Sequence, residues 1–179
     1  PLISFLEKLE KEDIIVMEVS CQQLENMVKF RPHIALMTNL SMAHIDFLKT
    51  YENYKRVKFK LFQNQEEKDI AILNMDNEEV MAGEKNIKAT TKYFSRKHEI
   101  NGAYYKQDAL WYYGEKIIDR QDFFLKGDHN VENALGAIMI AKEIGVETKV
   151  IKEVLKTFRG VSHRLEFIRQ VDEVEYYND

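Results

Sequence analysis

Apolar residues in this chain of 179 residues fall into short blocks of two kinds. Unbroken runs of four read as strands, and blocks spaced three and four apart read as helices. The run Ile14-Ile15-Val16-Met17 predicts a strand buried on both faces. Ile34 to Met37 predicts a second, Asp69 to Leu73 a third and Ala89 to Phe94 a fourth. Between them the spacing predicts helices over Glu52 to Asn64 and Glu78 to Gly83, with an opening amphipathic helix from Pro1 to Glu10. This alternation predicts a three-layer α/β fold, a mostly parallel sheet with helices on both faces. From 100 to 125 the pattern shifts to aromatic pairs and triplets. Ala103–Tyr105, Leu110–Tyr113 and Phe123–Leu125 predict short strands joined at Gln107-Asp108 and Gly114-Glu115, a small antiparallel flank. Helices over Val131 to Ile144 and Lys149 to Phe158 follow. Residues after Arg159 read as a linker into another domain.

Composition narrows the function classes. The formal charge of −4, with scattered basic residues, offers no electrostatic footprint for nucleic acid. One cysteine, Cys21, excludes an internal disulfide and fits a reducing compartment. No apolar run approaches the roughly 20 residues of a membrane helix. The expectation is a soluble, cytoplasmic protein without a nucleic-acid or membrane partner, acting as a monomer.

Three places could carry chemistry. Lys58 is the first. With Tyr54 at zero and about 100° per residue, Val57, Lys58, Leu61 and Phe62 share its arc, whereas Lys55, Arg56 and Lys60 fall opposite. Burial of a lysine favours its neutral, nucleophilic amine, which can add carbon dioxide to give a carbamate, an extra carboxylate able to hold a metal. Equally, the stem of Lys58 could snorkel along the core edge. Glu18 and His44 each follow a predicted strand, at the carboxyl edge where open α/β sheets bind ligands. Glu18 could hold Mg²⁺, which prefers hard oxygen donors, or be a solvated strand end. His44 could be a metal ligand or a structural hydrogen-bond partner. At the start of the Val131 helix, Asp128 or Asn130 could cap free N–H groups.

The ordered motifs resemble one family. Glu18-Val19-Ser20-x-x-Gln23-Leu24-Glu25, Phe30-Arg31-Pro32, Thr38-Asn39-Leu40, His44-Ile45-Asp46 and Tyr54 with Lys58 are similar to the central, P-loop-like ATPase domain of the Mur ligases. Asp128-His129-Asn130-Val131-Glu132-Asn133, Arg159-Gly160-Val161-Ser162-His163-Arg164-Leu165-Glu166 and the closing Asn178-Asp179 agree. Within the family the wording is most similar to the member that joins D-glutamate to UDP-N-acetylmuramoyl-L-alanine through an acyl phosphate. A sibling Mur ligase, a folylpolyglutamate synthase or a non-catalytic nucleotide-binding module are the alternatives.

The resemblance implies ATP and Mg²⁺ as cofactors. Glu18 would hold the magnesium between the ATP phosphates, and His44 with carbamylated Lys58 would serve a second. Asn130 and Asn133 would line the adenine side, Arg164 would contact phosphates or ribose, and Asp179 would contact the ribose. It also implies a boundary: residues 1–160 as the central domain, and 161–179 as a linker and the start of the C-terminal domain. The sequence contains no G-x-x-x-x-G-K-[ST] loop to cradle phosphates. In the family that loop lies upstream of the position of Pro1, so the expectation is a fragment of an enzyme, inactive by itself.

Overall fold

A computed structural model of the chain describes Ser4 and residues 7–41, 48–161 and 166–178. In chain order its elements are α1 (Cys21–Glu25), β1 (Ile34–Met37), α2 (Tyr51–Phe59), β2 (Ile70–Asn74), α3 (Glu78–Gly83), β3 (Thr90–Ser95) and β4 (Ala103–Lys106). β5 (Ala109–Tyr112), β6 (Glu115–Asp119), α4 (Asp128–Glu143), α5 (Thr148–Thr157), β7 (Glu166–Val171) and β8 (Val174–Asn178) follow. Six strands form one sheet in the order β1-β2-β3-β4-β5-β6, and β7 pairs with β8 in a second, two-stranded sheet. The first three pairings are parallel and the next two antiparallel. The antiparallel flank therefore continues the parallel sheet through β4.

Side-chain alternation explains the layers. Ala35, Met37, Ala71 and Leu73 point to one face, where they pack with Leu24, Tyr54, Val57, Phe62 and Val80 from α1, α2, the turn after it and α3. Ile72, Phe94 and Leu110, with Leu36 beside them, point to the other, under Val131, Leu135, Ile138 and Met139 of α4 and Ile151 of α5. Successive residues of a strand serve opposite faces, so Ile34–Met37 and Ile70–Leu73 are apolar at every position, whereas β3 opens with Thr90, Thr91 and Lys92 and is buried only at Phe94 and Ser95. α4 lies close to β1, since a Cβ added at Gly136 would stand 3.0 Å from Leu36 Cδ2.

Local signals account for the first three helix starts. Ser20 and Gln23 form a reciprocal capping box at α1, and Thr50 and Asn77 each accept a backbone N–H at the starts of α2 and α3. The two-residue turns Gln107-Asp108, Tyr113-Gly114 and Asp172-Glu173 all have positive φ, the handedness that matches the twist of a hairpin.

Three expectations are corrected. Ile14–Met17 is not a strand; these residues are 61%, 47%, 80% and 40% exposed. Apolar composition favours burial, but a strand also needs a ladder partner. This segment forms no ladder with β1, and the two line one cavity of about 780 Å³. The third strand of the flank is Glu115–Asp119, not Phe123–Leu125. A two-residue turn returns the chain immediately after β5, so the next residues pair, and Phe123 is instead buried behind a 3₁₀ turn. Neither Asp128 nor Asn130 caps α4: its N-cap is Gly127, with no side-chain cap bond. Most of the opening helix lies outside the described residues, whose Glu7 and Lys8 are 3₁₀.

Candidate functional site

Glu18 lines two cavities, of which the second runs along the edge strand β1 from Pro32 to Asn39; because Ile14–Met17 forms no strand, Glu18 does not stand at a strand's carboxyl end as expected. Its exposed carboxylate is placed by the capping box two residues on, which anchors the entry to α1. The first cavity, about 890 Å³, is walled by Lys126, Asn130, Asn133, Arg159 and Tyr177 among others. The second holds Thr38, Asn39 and Lys58 opposite the apolar 14–17 segment. Of the expected site residues, the structure therefore brings Glu18 together with Asn130 and Asn133 on one side and with Lys58 on the other. His44, Arg164 and Asp179 lie outside the described residues.

Lys58 is half-buried in α2 beside Leu61. Among the described residues its ammonium has no hydrogen-bond or ion-pair partner, whereas Lys60 Nζ donates to the Glu25 carbonyl at 2.6 Å and Lys55 pairs with Glu52 and Glu79. Lys55 and Lys60 are half-buried like Lys58, so what distinguishes Lys58 is the lack of a partner rather than depth. Among the described residues no three His, Cys, Asp or Glu side chains converge as a metal cage.

The loop after β1 is held from β2. Buried Asn74 donates from Nδ2 to the Thr38 carbonyl at 2.8 Å and accepts from the Asp76 N–H at 2.9 Å, and Asn77 Nδ2 donates to the Leu40 carbonyl at 3.2 Å. Asp76 in turn accepts from Ser95 Oγ at 2.6 Å and from the N–H groups of Arg96 and Lys97 at 2.7 and 3.1 Å. Sequence reasoning passed over Asn74, Asp76 and Arg96. A polar cluster directly after a predicted strand was the available signal.

The first cavity has further members that sequence reasoning missed. The Arg159 guanidinium lies 3.9 Å from the Phe124 ring centroid, forming a flat cation–aromatic wall. Lys126 Nζ donates to Glu175 at 2.6 Å, and that carboxylate, helped by Tyr177, pushes the ammonium up to about 12. Gly127, at φ 88°, turns the chain into α4. Asn130 Nδ2 donates back to the Lys126 carbonyl at 2.7 Å, closing the first turn from within. Among the described residues no helix is long and apolar enough to cross a membrane.

Comparison with known proteins shows the family of the chain. The chain is 42% identical over 167 residues to the UDP-N-acetylmuramoylalanine–D-glutamate ligase of Macrococcus caseolyticus, covering 93% of this chain and 37% of that protein. It spans about two fifths of the length of such curated relatives. A solved UDP-N-acetylmuramoyl-L-alanyl-D-glutamate–2,6-diaminopimelate ligase superposes with a TM-score of 0.66 at 22% identity, covering 86% of this chain and 34% of that one. The MurF ligase of Thermotoga maritima in complex with ADP superposes at 0.60 and 16% identity, over 82% of this chain and 35% of its own. These two likenesses are of fold. The family pattern described as the Mur ligase middle domain matches residues 2–141, and the chain belongs to that family.

Proposed function

We propose that this chain is the nucleotide-binding part of an ATP-dependent, cytoplasmic ligase that joins D-glutamate to UDP-N-acetylmuramoyl-L-alanine in peptidoglycan synthesis. Residues 1–160 would be its central domain and 161–179 the linker into the next. The observation that carries this reading is the position of Glu18, whose carboxylate lines both the cavity of Asn130 and Asn133 and the cavity of Lys58. A ligase of this class needs one place for a nucleotide and an adjoining place for an acceptor carboxylate. The name of the Macrococcus relative and the ADP bound by the Thermotoga ligase support the same assignment.

In such a ligation the terminal carboxylate of UDP-N-acetylmuramoyl-L-alanine takes the γ-phosphoryl group of ATP, and ADP leaves. The amine of D-glutamate attacks the acyl carbon of the acyl phosphate, loses a proton, and phosphate departs as the amide forms. Phosphoryl transfer asks the protein mainly for positioning and charge neutralisation. Asn130 and Asn133 would hold the adenine side, Arg159 and Phe124 would offer a flat surface beside it, and Arg164 and Asp179 would contact phosphate and ribose.

The donor set fits magnesium. Glu18 presents an exposed carboxylate, the hard oxygen ligand that Mg²⁺ takes alongside water and phosphate. His44 and the carbamate of Lys58, whose amine is free of protein partners among the described residues, would hold a second ion. When bound, magnesium neutralises charge on the phosphates.

The test is Lys58→Ala in the full-length protein. Turnover should fall by more than about a hundredfold, the upper end of what loss of a supporting metal ligand costs, with unfolding temperature little changed. Lys58→Arg should fail equally, because a guanidinium forms no carbamate, and a short carboxylic acid added to Lys58→Ala should restore part of the rate. Normal turnover in either variant overturns the assignment.

A further inference from the structure

We propose that Arg96 is a positioning residue for nucleotide binding: it clamps the first turn of α4 so that Asn130 and Asn133 face the first cavity. The proposal rests on the nucleotide reading of that cavity. α4 starts at a glycine and has no side-chain cap, so its first turn is held by buried Val131 on one side and by the Asn130 bond to the Lys126 carbonyl, with no cap to fix its polar face. Arg96 holds it from the side. Its Nη1 lies 3.0 Å from Asp128 and its Nε 3.0 Å from Glu132, residues one helical turn apart on one face. At about 100° per residue, with Asp128 at zero, Glu132 falls near 40°, Asn133 near 140° and Asn130 near 200°. Pinning the first pair therefore turns the second pair away from the sheet, and both asparagines do line the cavity.

The clamp is itself anchored. Asp76 accepts from the backbone N–H of Arg96 at 2.7 Å and of Lys97 at 3.1 Å, and from Ser95 Oγ at 2.6 Å. Ser95 is fully buried, so the backbone from which Arg96 extends is set by the ends of β2 and β3. The guanidinium is a rigid fork that can serve two carboxylates at once. It is about one quarter exposed, partly shielded from the solvent that weakens surface pairs. The same Asp76 is tied through Asn74 to the Thr38 carbonyl, so one set of hydrogen bonds braces loops of both cavities.

The experiment uses the full-length protein and ADP as the probe, with binding measured by calorimetry and steady-state kinetics run beside it. Arg96→Ala should weaken ADP binding about tenfold, a loss in the range of charge-assisted hydrogen bonds. KM for ATP should rise in parallel, while KM for the amino acid and kcat change little. Arg96→Lys, which can reach one carboxylate but not both, should recover part of the affinity. Glu132→Gln should shift it in the same direction by less, and serves if Arg96→Ala folds poorly. Because Arg96 acts through the asparagines, adding Arg96→Ala to an Asn130→Ala/Asn133→Ala background should cost no more than about twofold. A full tenfold loss in that background, or unchanged ADP affinity in Arg96→Ala, overturns the positioning role while leaving the nucleotide site standing. Unchanged ADP affinity in the double asparagine variant overturns both.

Discussion

Asp69 is a buried carboxylate that lines neither cavity, and replacing it should cost stability in a pH-dependent way. It is 2% exposed and accepts from Arg31 Nε at 2.7 Å, the Glu66 N–H at 2.8 Å and His33 Nδ1 at 3.1 Å. These bonds tie the segment entering β1 to the turn entering β2. Asp69→Asn keeps the size but removes the charge, and turns an N–H₂ group towards donors. A charge-assisted hydrogen bond contributes about 1.5–3 kcal/mol, but Arg31 and His33 stay partly in water, so the loss should be about 2 kcal/mol. For a chain of this size that is roughly 4–8 °C in unfolding temperature. The Arg31 guanidinium beside Asp69, with the Glu66 N–H, holds its carboxyl well below the usual carboxylate range. A depressed folded-state pKa gives stability that is present above the unfolded value, near 3.9, and is lost as pH falls towards the folded value. The gap between the two proteins should therefore be full at pH 7 and shrink below about pH 4. Urea titrations followed by circular dichroism at both pH values would measure it. An Asp69→Asn protein as stable as the parent at pH 7 would refute the reasoning.

Two further outcomes follow from the same geometry. Glu18→Gln in the full-length protein should cut turnover sharply at limiting Mg²⁺ with little loss of stability, because the exposed carboxylate contributes charge rather than packing; normal magnesium dependence would count against its assignment. Gly136→Val should destabilise by about 2 kcal/mol through overpacking, since even a Cβ there stands 3.0 and 3.2 Å from the methyl groups of Leu36; an unchanged denaturation midpoint would show that α4 can move off β1.

Much of the fold was legible because it depends on local spacing. The runs Ile34–Met37 and Ile70–Leu73 are apolar at successive positions, which suits strands covered on both faces. The helical arc through Tyr54 and Val57 holds their buried side chains, but burial does not set Lys58 apart, since Lys55 and Lys60 are half-buried too and differ from it in having partners. Where the expectation failed, partners distant in sequence decided the outcome. Ile14–Met17 has the composition of a buried strand but no ladder partner among the described residues, and Phe123–Leu125 lost its predicted place because Glu115–Asp119 reaches β5 first. At α4, Asp128 was free to cap in isolation, but in the fold its carboxylate pairs with Arg96, 32 residues earlier in the chain.

The sequence by itself determined the alternation of strands and helices, the hairpin turns and the family motifs, since backbone preference and side-chain periodicity act over a few residues. Only the tertiary structure decided that Glu18 stands between two cavities, that Arg96 braces the turn bearing Asn130 and Asn133, and that Arg159 stacks on Phe124. Those relations depend on distances between segments tens of residues apart, and packing of the sheet and its two helical layers sets such distances.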